Sequence, residues 1–161
     1  MTLAPPTFDW VCAALECPVC STRAVDPCAI DLQTKVSSAP ALRRLRVGDR
    51  VELRARMEEG GYLPTHDGGP REPLAVIDAW SCPSCGTSFL WARLTFHRDT
   101  LAAVDSVHLT EDDLEAADYV TAEALQLAPV EPREALPRLL ELPPAELRRE
   151  LARLEAERLG Q

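Results

Sequence analysis

Apolar and polar positions alternate most plainly over Arg50 to Met57. Val51, Leu53, Ala55 and Met57 take one side, and Arg50, Glu52, Arg54 and Arg56 the other. A period of two marks a half-buried strand, and Gly48-Asp49 supplies the turn into it. A second alternation runs through residues 87–97, where Phe89, Trp91 and Arg93 share one face and Leu90, Ala92, Leu94 and Phe96 the other. Leu74 to Trp80 before it and Leu101 to Leu109 after it read as neighbouring strands, and Phe8 to Ala14 as an earlier one. Residues 58–73 hold four glycines and three prolines, which predicts a long exposed loop.

From Thr110 the pattern turns helical. Thr110 is the expected N-cap, with Glu111, Asp112 and Asp113 in the first turn, where carboxylates meet the positive end of the helix dipole. This helix should run to about Gln126. Prolines 129, 132, 137, 143 and 144 then permit only short helical turns. A last helix should start at Pro144, carry Leu147, Leu151 and Leu154 on one stripe, and end at Gly160. The expected fold is α+β: an antiparallel β-sheet followed by C-terminal α-helices, with a β domain over 1–109 and an acidic helical region over 110–161.

Charge sharpens that division. Of the net −9, residues 1–109 contribute −2 (11 basic, 13 acidic) and residues 110–161 contribute −7 (6 basic, 13 acidic). An acidic field of this kind repels nucleic-acid phosphates and favours a basic protein partner. The one basic concentration, Arg43 to Arg56, contains no aromatic residue on which bases could stack. No window holds the run of roughly twenty apolar residues that a membrane helix needs, and the N-terminal stretch lacks the features of a signal peptide, so a cytoplasmic location is expected.

The chemistry lies in the cysteines. Glu16-Cys17-Pro18-Val19-Cys20-Ser21 and Ser81-Cys82-Pro83-Ser84-Cys85-Gly86 are two Cys-Pro-x-Cys turns separated by 61 residues. In a reducing compartment such pairs point to metal rather than to disulfides. Zinc prefers four ligands in a tetrahedron, and each turn can supply one edge of it. Closing the long gap instead of the usual fifteen to twenty residues costs only about 1 kcal/mol, far below what structural zinc contributes. Gly86 suits the left-handed backbone such a turn ends in, whereas the first turn has Ser21 there, a change worth about 1–2 kcal/mol.

The pair of turns resembles the zinc ribbons, and more loosely the bacterial proteins defined by two Cys-Pro-x-Cys motifs. The resemblance implies a zinc-stapled sheet with Cys17, Cys20, Cys82 and Cys85 as ligands to one structural Zn2+ per chain. It says little of function, because ribbons serve in transcription, translation, enzymes and adaptors alike. A thiol oxidoreductase would use one such pair at a strand-to-helix junction, and the His-x-Glu of zinc deaminases is absent. Cys12 and Cys28 read as two buried, reduced thiols, with substitute ligands or a second metal site as the alternative. His66-Asp67 reads as solvated loop, and His97 and His108 as surface or satisfied positions rather than ligands.

The expected function is non-enzymatic: a zinc protein working through protein–protein interaction, as an adaptor or an inhibitor of the immunity type. Leu147, Leu151 and Leu154, with Phe89 and Trp91, are the candidate partner-binding residues. The alternative is a nucleic-acid-binding regulator that uses Arg50, Arg54 and Arg56.

Overall fold

The computed structural model describes residues 7–128 and 139–160. The fold is α+β, with two sheets and a long C-terminal helix. The smaller sheet has the order β2-β1-β3, from β1 (Asp9–Val11), β2 (Leu32–Thr34) and β3 (Arg44–Leu45). The larger has the order β4-β8-β5-β6-β7, from β4 (Tyr62–Pro64), β5 (Leu74–Trp80), β6 (Leu90–His97), β7 (Thr100–Val107) and β8 (Tyr119–Thr121).

β5, β6 and β7, the three segments read as neighbouring strands, form an antiparallel meander. Leu90, Ala92, Leu94 and Phe96 face a first core shared with Val11, Ile30, Leu32, Val76 and Trp80, while Trp91 enters a second core with Ile77, Leu114, Leu147 and Leu151. Both faces of this sheet are therefore covered, which is why β5 reads as a nearly continuous apolar run. Neither sheet is purely antiparallel, contrary to expectation: β1 and β3 run parallel, as do β5 and β8.

Three local expectations fail for physical reasons. Arg50–Met57 is not a strand. Arg50 bridges Thr100, and Leu53 bridges Ser37, so the segment meets two different partners and no ladder extends. Val51 and Met57 are still buried, but Ala55 is exposed because the chain turns into a 3-10 helix at Met57–Gly60. Residues 58–73 are not all loop either, since Tyr62–Pro64 pairs with β8 and Tyr62 is buried. The helix expected from Thr110 to Gln126 ends early. Thr110 does cap it, its hydroxyl accepting from the Asp113 amide at 3.1 Å, but α1 spans only Glu111–Ala116. Tyr119-Val120-Thr121 then enters the larger sheet between β4 and β5, its aromatic and β-branched side chains suiting a pleated surface better than a helix, and a 3-10 helix follows at Ala122–Leu127.

α2 (Pro144–Leu159) begins and ends where Pro144 and Gly160 predict. Leu147, Leu151 and Leu154 are buried within the chain, Trp91 Nε1 donates to Glu155 Oε2 at 3.1 Å, and Arg158 donates to the Phe89 carbonyl at 2.9 Å. The short turns expected around prolines 129, 132 and 137 lie outside the described residues.

Candidate metal centre

The two cysteine turns are nearly superposable in their bonding. In the first, Cys17 N–H donates to Thr22 O at 3.0 Å and Ser21 N–H to Cys17 O at 2.8 Å. In the second, Cys82 N–H donates to Thr87 O and Gly86 N–H to Cys82 O, both at 2.9 Å. Ser21 (φ 61°) and Gly86 (φ 75°) are both left-handed, so the serine adopts the conformation that glycine takes without strain. The first cysteine of each turn is buried and the second is more exposed.

Different parts of the fold deliver them. The first turn follows β1 and is held from behind by Leu15, buried in the first core. The second is the tip between β5 and β6, fixed by buried Trp80 and by Ser81 N–H donating to Ile30 O at 2.9 Å. Together they bring the four Sγ atoms within 4.8 Å of one another. Cys17 and Cys85 are 3.8 Å apart at sulfur, and Cys20 and Cys82 are 3.6 Å apart. A tetrahedron with metal–sulfur bonds of 2.3 Å has edges of about 3.8 Å, so these residues fit a tetrathiolate metal site.

Hydrogen bonds and burial push the thiols in opposite directions. Cys85 Sγ lies 3.1 Å from the Thr87 hydroxyl, which favours the thiolate and brings its pKa down to about 6. Thr22 lowers Cys20 in the same way. Cys17 is raised to about 11 by burial, although amides including Val19 N–H, 3.4 Å from its sulfur, act the other way. Arg23, the basic residue nearest in sequence to the first turn, spends its guanidinium on the Ala14 carbonyl at 2.7 Å.

Cys12 and Cys28 are not reduced thiols. They form a disulfide across 16 residues that closes the loop carrying the first turn, and this corrects the expectation of spare cysteines. Sequence spacing does not reveal the direction of Cβ vectors, which decides whether two cysteines can bridge. The remaining hint was that both flank the same knuckle and no other partner was left for either.

The arginines of 43–56 do not form one face. Arg50 and Arg56 are exposed, Arg54 is half-buried with Nε donating to Lys35 O at 2.6 Å, and Arg43 lies 3.6 Å from Asp9. Phe89 is half-buried beside Trp91, ring centroids 6.3 Å apart, in the region where α2 packs. His97 and His108 are exposed as expected. His66 is not solvated loop: its Nε2 lies 2.8 Å from Asp118 Oδ1.

Asp118 and Asp78 are among the buried polar groups that no local pattern foreshadows. Asp118 takes bonds from Ala75 N–H at 2.8 Å and Arg71 Nε at 2.9 Å as well as the His66 contact. Burial raises its pKa, but these bonds outweigh that and hold the carboxyl below its usual range. Asp78, the lone polar residue of β5, has both carboxylate oxygens 2.9 Å from the Tyr62 hydroxyl, whose single proton they share. Tyr62 in turn bonds Thr34 at 3.1 Å and accepts from Lys35 N–H at 2.9 Å, tying the larger sheet to β2. Burial nevertheless pushes Asp78 up to about 7.

No family model matches the chain, and neither the curated proteins nor the solved structures yield a match.

Proposed function

We propose that this chain is a structural zinc protein that works by binding another protein. One Zn2+ held by Cys17, Cys20, Cys82 and Cys85 would staple the first turn to the β5–β6 tip, in the manner of a zinc ribbon. The observation that carries the reading is the sulfur cluster: the four Sγ atoms lie within 4.8 Å of one another, and two opposite edges, of 3.8 and 3.6 Å, match those of a tetrathiolate site. Four thiolates fill the shell that zinc prefers and leave no position for an activated water, which favours a structural over a catalytic centre. Thiolate softness favours zinc over magnesium or calcium.

The proposed partner is a protein with basic character. A chain of net charge −9 steers basic surfaces toward it and repels phosphates. Arg54, needed for the nucleic-acid alternative, is engaged by a backbone carbonyl.

Two measurements test the reading. Stripping the metal with a chelator should lower the melting temperature sharply, with recovery on adding Zn2+ but not Mg2+; a chelator-insensitive transition would sink the metal staple. Fluorescence anisotropy with short DNA and RNA at physiological salt should show little binding. Submicromolar affinity that Arg54→Glu abolishes would replace the protein-binding reading with the nucleic-acid one.

A further inference from the structure

The larger sheet has two edges, and they are finished differently. β4 is three residues long and ends in Pro64, which has no N–H to offer. β7 is eight residues long. Its first turn is covered, since Gly48 N–H donates to Leu101 O at 2.8 Å and Leu101 N–H to Asp49 O at 2.9 Å. Beyond the irregularity opposite Thr95 the outer side changes. Leu101, opposite Phe96, points its backbone groups outward, so along β6 every second residue marks such a pair. Val104 opposite Leu94 and Ser106 opposite Ala92 therefore also point their N–H and C=O groups away from β6. Among the described residues, no backbone group bonds them from that side.

This bare edge lines a groove of about 440 Å3. Val104, Ser106 and His108 form one wall, and Glu16, Pro18 and Arg23 of the first cysteine turn the other. No proline or lysine blunts the edge between Val104 and Val107. Resting on the protein-binding reading above, we infer that the outer edge of β7 takes an extended, basic peptide segment of a partner as an added strand, lying in the groove against the first cysteine turn.

Main-chain bonds to Val104 and Ser106 give the segment its register, and alternate side chains fall on the two sides of the added strand. Asp105, half-exposed and 3.7 Å from Arg93, and Glu16, exposed and without an ion pair among the described residues, supply the carboxylates for basic side chains. Arg23, opposite Glu16 and bonded to the Ala14 carbonyl at 2.7 Å, keeps its positive charge on the same wall, so the two carboxylates outnumber it by one. A second copy of this chain fits less well. Edge-to-edge pairing about a two-fold axis would set Asp105 close to its twin and join two chains of net charge −9.

The test uses the full zinc-loaded chain and a capped peptide of alternating lysine and valine. Amide exchange comes first: Val104 and Ser106 should exchange fast while Asp105 and Val107 are protected. Protection of Val104 and Ser106 in the free monomer would overturn the proposal, because another part of the chain would already hold the edge. Peptide addition should shift amide resonances confined to Glu16–Arg23 and Val104–His108. Ser106→Pro, which removes one outward N–H without touching the β6–β7 ladder, should weaken binding about tenfold. Methylating the alternate peptide nitrogens should do the same, and needs no variant to fold. Binding equal to wild type by Ser106→Pro and by the methylated peptide would overturn the edge assignment while leaving the protein-binding reading standing. A glutamate-for-lysine peptide that binds as well would overturn the basic partner, and a dimer that Ser106→Pro dissolves would identify a second copy as the occupant instead.

Discussion

The two cysteine turns reach one backbone geometry from different sequences and are anchored by different means. The second ends in Gly86 and is the tip of the β5–β6 hairpin, so its position follows from a seven-pair antiparallel register. The first ends in Ser21 at φ 61° and follows a strand of only three residues. What a long ladder does for one turn, a disulfide does for the other: Cys12–Cys28 closes the loop around the first. A knuckle is thus a local backbone pattern whose aim depends on its support, and support can be a sheet or a covalent bolt.

The largest expected effect removes the feature the turns share. Cys17→Ser and Cys82→Ser should each abolish metal binding and leave little cooperative folding near physiological temperature, because structural zinc contributes on the order of 10 kcal/mol or more in small domains. Calorimetry of the two variants checks this, and a near-normal melting transition in either would contradict a shared centre.

The disulfide separates the turns. Cys12→Ser should cost about 3 kcal/mol, as expected for a loop of its length, yet keep the metal. Denaturant unfolding with parallel elemental analysis measures both, and loss of metal from Cys12→Ser would mean that the bolt, not the core, aims the first turn.

Asp78 distinguishes the supports by pH. Its folded pKa of about 7 lies above the value of 3.8 it has when unperturbed, so the folded state holds a proton that the unfolded state has lost between roughly pH 4 and 7. This contribution to stability is full below pH 4 and is lost as pH rises through 7. Asp78→Asn should remove that downward slope from a plot of melting temperature against pH. An unchanged slope would show that Asp78 is ionised in the fold throughout.

The smallest effect tests the turn ends themselves. Ser21→Gly should stabilise by about 1 kcal/mol and Gly86→Ser should destabilise by a similar amount, since both positions are left-handed. A Cβ at Gly86 meets nothing within 4 Å, so the cost there is conformational rather than steric. Opposite signs in urea unfolding support the equivalence of the turns, and equal signs would break it.

What could be read from the sequence follows the range of the interactions. β5, β6, β7 and the last helix were legible because an apolar run, an alternation, Pro144 and Gly160 are local signals, and the four clustered cysteines were legible because each turn is a six-residue pattern. Tyr119–Thr121 was not, because only the gap between β4 and β5 makes a strand of it. Arg50–Met57 misled for the converse reason: its alternation survives in the burial of Val51 and Met57, but its hydrogen bonds go to two separate partners. The Cys12–Cys28 bond and the Asp118 cluster depend on long-range placement that no spacing encodes.

Four of the six cysteines should hold one zinc, while the other two form a disulfide. Native mass spectrometry of the full chain, purified without chelator and followed by alkylation before and after metal removal, tests it directly. The expected result is one zinc per chain, with Cys17, Cys20, Cys82 and Cys85 becoming modifiable only when the metal leaves, and Cys12 and Cys28 modifiable only after reduction. A metal-free chain with those four thiols freely alkylated, or a metal whose release unmasks Cys12 or Cys28, would contradict it.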